Sequence, residues 1–456
     1  MGGTESGADR KRTGSKETGM KWWQLSLVGV GCTIGTGYFL GSSIGISITG
    51  PSIVFSFILA SLGTYIVFNL LAKMTAKDPQ EGSFCYYAEK AYGRWAGFSS
   101  GWNYWCSNVL IMGSQLIALS ILSQFWFPNI SLWIFAAGYA VLSISVVLLG
   151  TEGFDKIEDI FAVIKTAAII IFIILGAVAL LGWIPGEGSE KPGIPVSAEK
   201  LFPNGLKGFW ASLIYAFYAY GGVEVIGLMA MQLRKKEDAP KAGKVMMVGL
   251  TTIYVISISL AVTMVSINMF HEEESPFVTA LSSYNLPFFP HLFNGAIIIA
   301  GFSTMTAALY GVTTLMVTIA KDGNAPHLFG KKLTKFKSLP LPSLGLGAVG
   351  LLVSVVTALV LPGKIYEYIT TAAGILLLYN WSFIIISSFS ILTEKKILDK
   401  VVSLAGLALI LCAVIGTLMD ESIRPGFYIS LLFVSIIGIV TLFMRKRWKA
   451  DTKNEI

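Results

Sequence analysis

The chain has 456 residues, 54% of them hydrophobic and only 13% charged, with a formal net charge of +7. A soluble globular protein carries about 25% charged residues, so this composition excludes one and points to a chain built for a bilayer. Its positive charge is concentrated in short connections between apolar runs, which argues for membrane topology and against a nucleic-acid partner.

Residues 1–20 are polar and basic and are expected to be a disordered tail, with no cleavable signal after them. A helix crosses a bilayer in about 20 apolar residues. On that ruler the chain holds twelve spans, at 24–46, 51–72, 95–125, 131–149, 158–182, 208–230, 245–270, 291–320, 342–361, 366–390, 401–418 and 425–444. The first contains Gly29, Gly31, Gly35, Gly37 and Gly41. Each glycine costs roughly 1 kcal/mol against alanine in a helix interior, so the run predicts a break in the helix. Backbone that leaves the helix at membrane depth survives only where it is buried in protein or lines a cavity. Close helix packing is the bland alternative, because Gly31/Gly35 and Gly37/Gly41/Gly45 are spaced by four. A dinucleotide loop does not fit: the third glycine comes one position late and no strand precedes it.

Residues 74–94, with Phe84, Tyr86, Tyr87 and Tyr92, are expected to form an amphipathic helix lying at the interface. In the third span Asn103, Ser107, Asn108 and Gln115 are polar, of the kind that bonds helix to helix. The fifth span holds Lys165, the one basic residue deep in a span; such a group is a functional candidate, with snorkelling to the interface as the alternative. The connection 183–207 is rich in glycine and proline and reads as an ordered loop at most. Tyr218-Ala219-Tyr220-Gly221-Gly222-Val223-Glu224 interrupts the sixth span, and Glu224 is the one carboxylate well inside a span. Tyr218 and Tyr220 suit either gating or core packing. No disulfide framework or metal site is indicated by Cys32, Cys85, Cys106 and Cys412 or by the three histidines.

Lys and Arg crowd the N-terminal tail, the second-to-third connection, 234–244, 321–337, 395–400 and the segment after Arg445. The opposite loops hold Lys191, Lys200, Lys207, Lys364 and Arg424. By the positive-inside rule both termini are cytoplasmic. With spans 1–5 and 6–10 as two halves, an odd number of spans inverts the second half, and the two breaks fall at matching positions. Paired interruptions of that kind point to a binding site at the repeat interface. A restarting helix near Gly35, Thr36 and Gly37 offers unpaired amides to a carboxylate. A stopping helix near Tyr218, Ala219 and Gly221 offers carbonyls to an ammonium. An α-amino acid carries both groups. Lys165 can serve as a fixed cation or exchange a proton, since burial lowers a lysine's pKa. Glu224 can carry a proton, attract an amine or bond loose backbone.

The segment Cys32-Thr33-Ile34-Gly35-Thr36-Gly37-Tyr38-Phe39-Leu40-Gly41 resembles the first-span signature of amino-acid permeases of the amino acid–polyamine–organocation (APC) superfamily. Similar to that family are also Gly50-Pro51, Pro79-Gln80-Glu81-Gly82-Ser83-Phe84, Gly97-Phe98, Gly101-Trp102-Asn103-Tyr104-Trp105, Asp238-Ala239-Pro240-Lys241-Ala242, Ala320-Lys321-Asp322-Gly323-Asn324-Ala325-Pro326 and Leu341-Pro342. The likeness runs from about residue 21 to 390. It implies an all-α membrane protein of twelve transmembrane helices: two inverted five-helix repeats with broken first and sixth helices, plus two C-terminal helices. It places substrate carboxylate at Ile34–Gly37, substrate amine at Tyr218, Ala219 and Gly221, and Lys165 where sodium sits in related folds. Departures fall at Lys73, where many members are acidic, at Thr313-Thr314 in place of Ser-Arg, and at Ala230-Met231-Gln232 in place of Ala-Gly-Glu; all three bear on the inner gate.

The resulting expectation is a multi-pass cell-membrane transporter, not an enzyme, that takes up a neutral amino acid by alternating access. The proton is the coupling ion and no cofactor is needed. The domain layout is a tail (1–20), one transporter domain (21–445, with repeats at 21–182 and 208–390 and the last two helices at 401–444) and a second tail (446–456). An exchanger is the alternative, and a non-transporting amino-acid sensor ranks below it because the tails are short. Oligomeric state is not legible.

Overall fold

The computed structural model describes residues 19–80, 83–185, 197–224, 233–284, 286–331, 340–360, 364–393 and 396–454. These are almost wholly helical, and the only β-type pairing among them is an isolated bridge between Met20 and Leu233. The first apolar run is broken into α1 (Trp22–Thr33), α2 (Thr36–Phe39) and α3 (Gly41–Thr49). There follow α4 (Ile53–Lys77), α5 (Phe84–Tyr92), α6 (Arg94–Gln124), α7 (Leu132–Leu148) and α8 (Thr151–Leu180). The second half begins with the short α9 (Ala198–Leu201) and α10 (Gly205–Ala219), then α11 (Ala239–Met264), α12 (Pro276–Ser282), α13 (Phe289–Lys321), α14 (Leu341–Val360) and α15 (Ile365–Ile391). Two helices complete the chain, α16 (Ile397–Gly416) and α17 (Arg424–Asn454).

Eleven of the twelve passes expected from hydropathy are met by α1–α3, α4, α6, α7, α8, α11, α13, α14, α15, α16 and α17; of the sixth, α10 supplies the first part, and residues 225–230 lie outside the described residues. The interfacial helix is shorter than its predicted 74–94, because α4 keeps its helical hydrogen bonding to Lys77 and α5 begins only at Phe84. Residues 186–196 of the connection 183–207 lie outside the described residues, as do Ala230, Met231 and Gln232.

Burial follows the polarity of each helix. The most enclosed spans are α6 and α15, and α17 is the least. Polar side chains on α6 are spent on its neighbour: Asn103 Nδ2 donates to the Leu376 carbonyl (2.8 Å) and the Ser107 hydroxyl to that of Ala373 (3.1 Å). An interhelical hydrogen bond of this type contributes about 1 kcal/mol in lipid. By contrast, Leu432, Ile436, Ile439, Leu442 and Phe443 on α17 face outward, as lipid contact requires. At the α3–α4 corner Gly50 takes φ 71°, a left-handed value glycine adopts without penalty, and Pro51 follows in the first turn.

The α4–α5 connection is fixed by Asp78. Its carboxylate accepts from Lys90, from Gln80 Nε2 (3.0 Å) and from the Tyr86 hydroxyl (3.4 Å), and its carbonyl accepts from Tyr87 (2.8 Å). The Lys90 hydrogen bond, and behind it that of Gln80, hold this carboxyl below its ordinary value. A depressed carboxyl contributes stability above its unfolded pKa and loses it as pH falls through the folded value. Asp78→Asn is therefore expected to lower the unfolding temperature slightly at neutral pH. Its difference from wild type should shrink below about pH 3.9 and then vanish, as thermal unfolding in detergent at a series of pH values will read.

Candidate functional site

The first break is set by three residues. α1 ends at Thr33, and Ile34 still bonds back to the Val30 carbonyl (3.1 Å) but takes an extended conformation. Gly35 is fully extended and caps α2, its carbonyl accepting from the amides of Tyr38 (3.0 Å) and Phe39 (3.1 Å). The Thr36 amide donates to Gln115 Oε1 on α6 (3.2 Å), and so does the Thr36 hydroxyl. The amides of Gly35 and Gly37 donate to no backbone carbonyl among the described residues. All of Ile34, Gly35, Thr36 and Gly37 are buried.

At the second break, α10 stops at Ala219 and its last turn closes through Tyr220 N–H to Phe217 O (3.0 Å) and Gly221 N–H to Tyr218 O (2.9 Å). The Ala219 carbonyl accepts from the Tyr254 hydroxyl on α11 (3.2 Å). Gly222 has φ 104°, and a Cβ there would sit 3.0 Å from the Cys32 carbonyl oxygen. The two breaks are thus in contact through backbone at Gly222 and Cys32.

They also meet at the residues marked from sequence. A Cβ on Gly37 would fall 2.7 Å from the Tyr218 ring, and one on Gly35 2.7 Å from the Thr304 hydroxyl of α13. The glycine spacing therefore serves close packing and helix breakage together: Gly31 and Gly45 are likewise pressed against Ala162 and Ile53. Tyr218 is 5% exposed, and its hydroxyl has no hydrogen-bond partner among the described residues. Tyr220 packs on Tyr254 (5.2 Å between ring centroids) and Phe57 (6.2 Å), as a core aromatic does.

Glu224 lies just beyond the break and is 2% exposed. One carboxylate oxygen accepts from Tyr104 (3.3 Å), the other from the Gly222 amide (3.2 Å) and the Trp381 indole (3.4 Å). It thereby ties the loose backbone of the break to α6 and α15. Lys165 is fully enclosed, so its side chain does not snorkel. Its ammonium donates to Ser303 Oγ on α13 (2.8 Å) and pairs with Glu158 Oε1 (3.2 Å), while the Ser303 hydroxyl lies 2.7 Å from both Glu158 oxygens.

Several neighbours were not marked by their sequence. Gln115 reads as helix glue, yet it is the partner of Thr36. Glu158 begins its span seven residues before Lys165, and that spacing of two turns on one helix face was the available signal. Ser114, Thr304 and Tyr366 sit in ordinary helical stretches and carry no local signature; the Tyr366 hydroxyl reaches the Thr36 carbonyl (3.4 Å). Of the departures, Lys73 approaches Asp399 (3.9 Å) across an exposed surface, and the hydroxyls of Thr313 and Thr314 bond carbonyls of their own helix. No cluster of His, Cys, Asp and Glu able to hold a metal occurs among the described residues.

A multi-pass helical protein with two discontinuous helices facing each other inside the bundle has the architecture of a secondary transporter. The chain belongs to the amino acid permease family, whose model matches residues 24–454. It is 51% identical over 428 residues to a Bacillus subtilis (strain 168) protein named "Uncharacterized transporter YcgH", covering 94% of this chain and 95% of the other. It is 30% identical to the "Aromatic amino acid transport protein AroP" of Corynebacterium glutamicum, over 84% of this chain and 83% of that one. The "D-serine/D-alanine/glycine transporter" of Escherichia coli (strain K12) is 27% identical over 94% of each chain. The crystal structure of MhsT in complex with L-phenylalanine shares the fold, with TM-score 0.60, 14% identity and coverage of 89% of this chain and 100% of that one.

Gly222 is the position where the site's backbone geometry is most exacting. Gly222→Ala is expected to cost about 1–2 kcal/mol for the left-handed backbone alone, plus the contact with the Cys32 carbonyl. A fall in unfolding temperature well beyond that of Gly138→Ala, where a Cβ meets nothing within 4 Å, checks it.

Proposed function

We propose that the protein takes up a neutral amino acid across the cell membrane by alternating access, with protons as the coupling ion. The observation that carries this reading is the contact of the two helix breaks at Gly37 and Tyr218. It puts the donor-rich backbone of Ile34, Gly35, Thr36 and Gly37 opposite the acceptor-rich end of α10 at Tyr218, Ala219 and Gly221. A substrate carboxylate on the first and an ammonium on the second need no charged side chain: the Gly35 and Gly37 amides have no backbone partner, the Tyr218 and Ala219 carbonyls each take one donor and keep a second lone pair, and the helix ends supply the complementary partial charges. The unpartnered Tyr218 hydroxyl supplies a polar group between them. Relatives named for aromatic amino acids and for D-serine, D-alanine and glycine all have substrates with uncharged side chains, and Glu224 is already occupied by three donors.

Coupling is assigned to Lys165 and Glu224. The Lys165 ammonium joins α8 to α13 through Ser303, so loss of its proton removes the charge that binds these helices and frees them to move. Glu224 acts beside the second break through the backbone it holds.

In proteoliposomes, uptake of L-phenylalanine, D-alanine or glycine is expected to follow an imposed inward proton gradient and to ignore sodium. Uptake that disregards the proton gradient but requires amino acid inside the vesicle would establish exchange instead. Lys165→Ala should abolish accumulation while leaving counterflow measurable, and accumulation at the wild-type level would reject its coupling role. Gly37→Val should remove substrate-induced thermal stabilisation, whereas an undiminished shift would contradict the carboxylate assignment.

A further inference from the structure

Beside the first break, α6, α10 and α15 bring polar side chains to one buried corner. On α15, Tyr366, Thr370 and Gly374 recur at intervals of four and lie along one face. Each meets a different neighbour. The Tyr366 hydroxyl reaches the Thr36 carbonyl (3.4 Å). The Thr370 hydroxyl is bonded to that of Ser114 on α6 (2.6 Å). A Cβ on Gly374 would stand 3.6 Å from Tyr218 Cβ.

The course of the Tyr218 side chain follows from these contacts. It starts beside Gly374, and its ring edge lies on Gly37. Gly37 adjoins Thr36, which Gln115 fixes at the level of Ser114, and Ser114 stands opposite Thr370. The ring therefore runs along α15 from Gly374 toward Thr370, one helical turn away, or about 5.4 Å. A tyrosine side chain is close to that length, so the Tyr218 hydroxyl arrives beside the Ser114–Thr370 pair. It is buried there with no hydrogen-bond partner among the described residues. Thr36, Ser114, Gln115, Tyr366 and Thr370 are buried too.

The proposed amino-acid site directs a side chain to this corner. With carboxylate and ammonium on the two breaks, the third substituent of the α-carbon points to the flanking helices α6, α13 and α15. The α13 side is closed: a Cβ on Gly301 would collide with Thr36 Cγ2 and stand 3.0 Å from Leu119 Cδ2, and Thr304 is pressed on Gly35. What remains is the α6–α15 side. None of its six polar side chains is charged, which disfavours an ionised substrate side chain. Both lone pairs of Gln115 Oε1 are taken by Thr36, so it has only amide hydrogens left to offer. The Ser114–Thr370 bond uses one of two hydroxyl hydrogens, and Tyr218 can both donate and accept. A substrate hydroxyl, which also does both, matches these groups. A methyl or phenyl group leaves the buried Tyr218 oxygen unsatisfied.

We propose that this corner is the side-chain subsite of the amino-acid site and selects, among neutral amino acids, a small one bearing a hydroxyl, of the serine type. The substrate hydroxyl bonds Tyr218 Oη and shares the free hydrogens of Gln115 and of the Ser114–Thr370 pair. The assignment rests on the amino-acid reading above and narrows it.

The test is calorimetric titration of the full-length protein in lipid nanodiscs with L-serine, L-alanine, glycine and L-phenylalanine. L-Serine is expected to bind about 10- to 100-fold more tightly than L-alanine, which lacks only the hydroxyl. In Tyr218→Phe and in Ser114→Ala that ratio should fall toward one, with alanine binding by the same sample showing that the variant is folded. Ser114→Thr, which keeps the hydroxyl, should retain it. Wild-type protein that binds L-alanine or L-phenylalanine as tightly as L-serine overturns the subsite and leaves the amino-acid site standing. An undiminished ratio in both hydroxyl-lacking variants does the same. Binding of none of the four amino acids overturns the amino-acid reading itself, and this inference with it.

Discussion

Inside a bilayer a peptide group that leaves its helix has no water to bond, and an unsatisfied one costs several kcal/mol. The architecture around the two breaks follows from that constraint. Gln115 comes from α6 to take the Thr36 amide, Tyr366 from α15 reaches the Thr36 carbonyl, Tyr254 from α11 donates to Ala219, and Glu224 accepts from Gly222. Each partner must itself be buried and fixed, which is why α6 and α15 are the most enclosed spans and why they are cross-bonded to each other. The amides left over are those of Gly35 and Gly37, which have no backbone partner among the described residues.

Charge inside the protein obeys the same logic. Lys165 and Glu158 share Ser303, so neither ion lies bare, while Glu224 is solvated by three fixed dipoles in place of water. A buried pair of this kind is weak evidence for stability, because desolvation offsets most of its attraction; what it does is link α8 to α13 through Ser303. Cys32 and Gly222 form the backbone seam at which the two breaks touch.

Much of this could be read in the sequence. Hydropathy located every pass, and the clusters Gly35–Gly37 and Tyr218–Glu224 fell where the helices stop, since glycine is disfavoured in a helix interior whatever surrounds it. Lys165 stood out because an ion in an apolar run is costly anywhere along it. What escaped notice was relational. Gln115 and Asn103 are both polar residues on α6, and only the helix each one faces separates a partner of the break from simple glue. Glu158 and Glu367 lie within one turn of the span ends read from sequence, where carboxylates usually reach water; the contact of Glu158 with Ser303 on α13 and the burial of Glu367 are tertiary facts. The interfacial helix is shorter than the sequence suggests because the basic and aromatic residues lie on either side of Asp78–Ser83, and α4 runs on to Lys77 while α5 begins only at Phe84.

The aromatic cluster around Phe277 of α12 has a thermal consequence. Phe277, Tyr38, Phe39 and Phe172, with Tyr254 stacked on Tyr38 at 3.8 Å, keep a large area of ring surface dry. Any motion that parts Phe277 from its neighbours hydrates that surface, and hydrating apolar surface raises heat capacity. The balance between sealed and parted forms is then curved in temperature: the seal is tightest at an intermediate temperature and loosens on both cooling and warming. How tightly these rings stay packed is in this way set by the temperature.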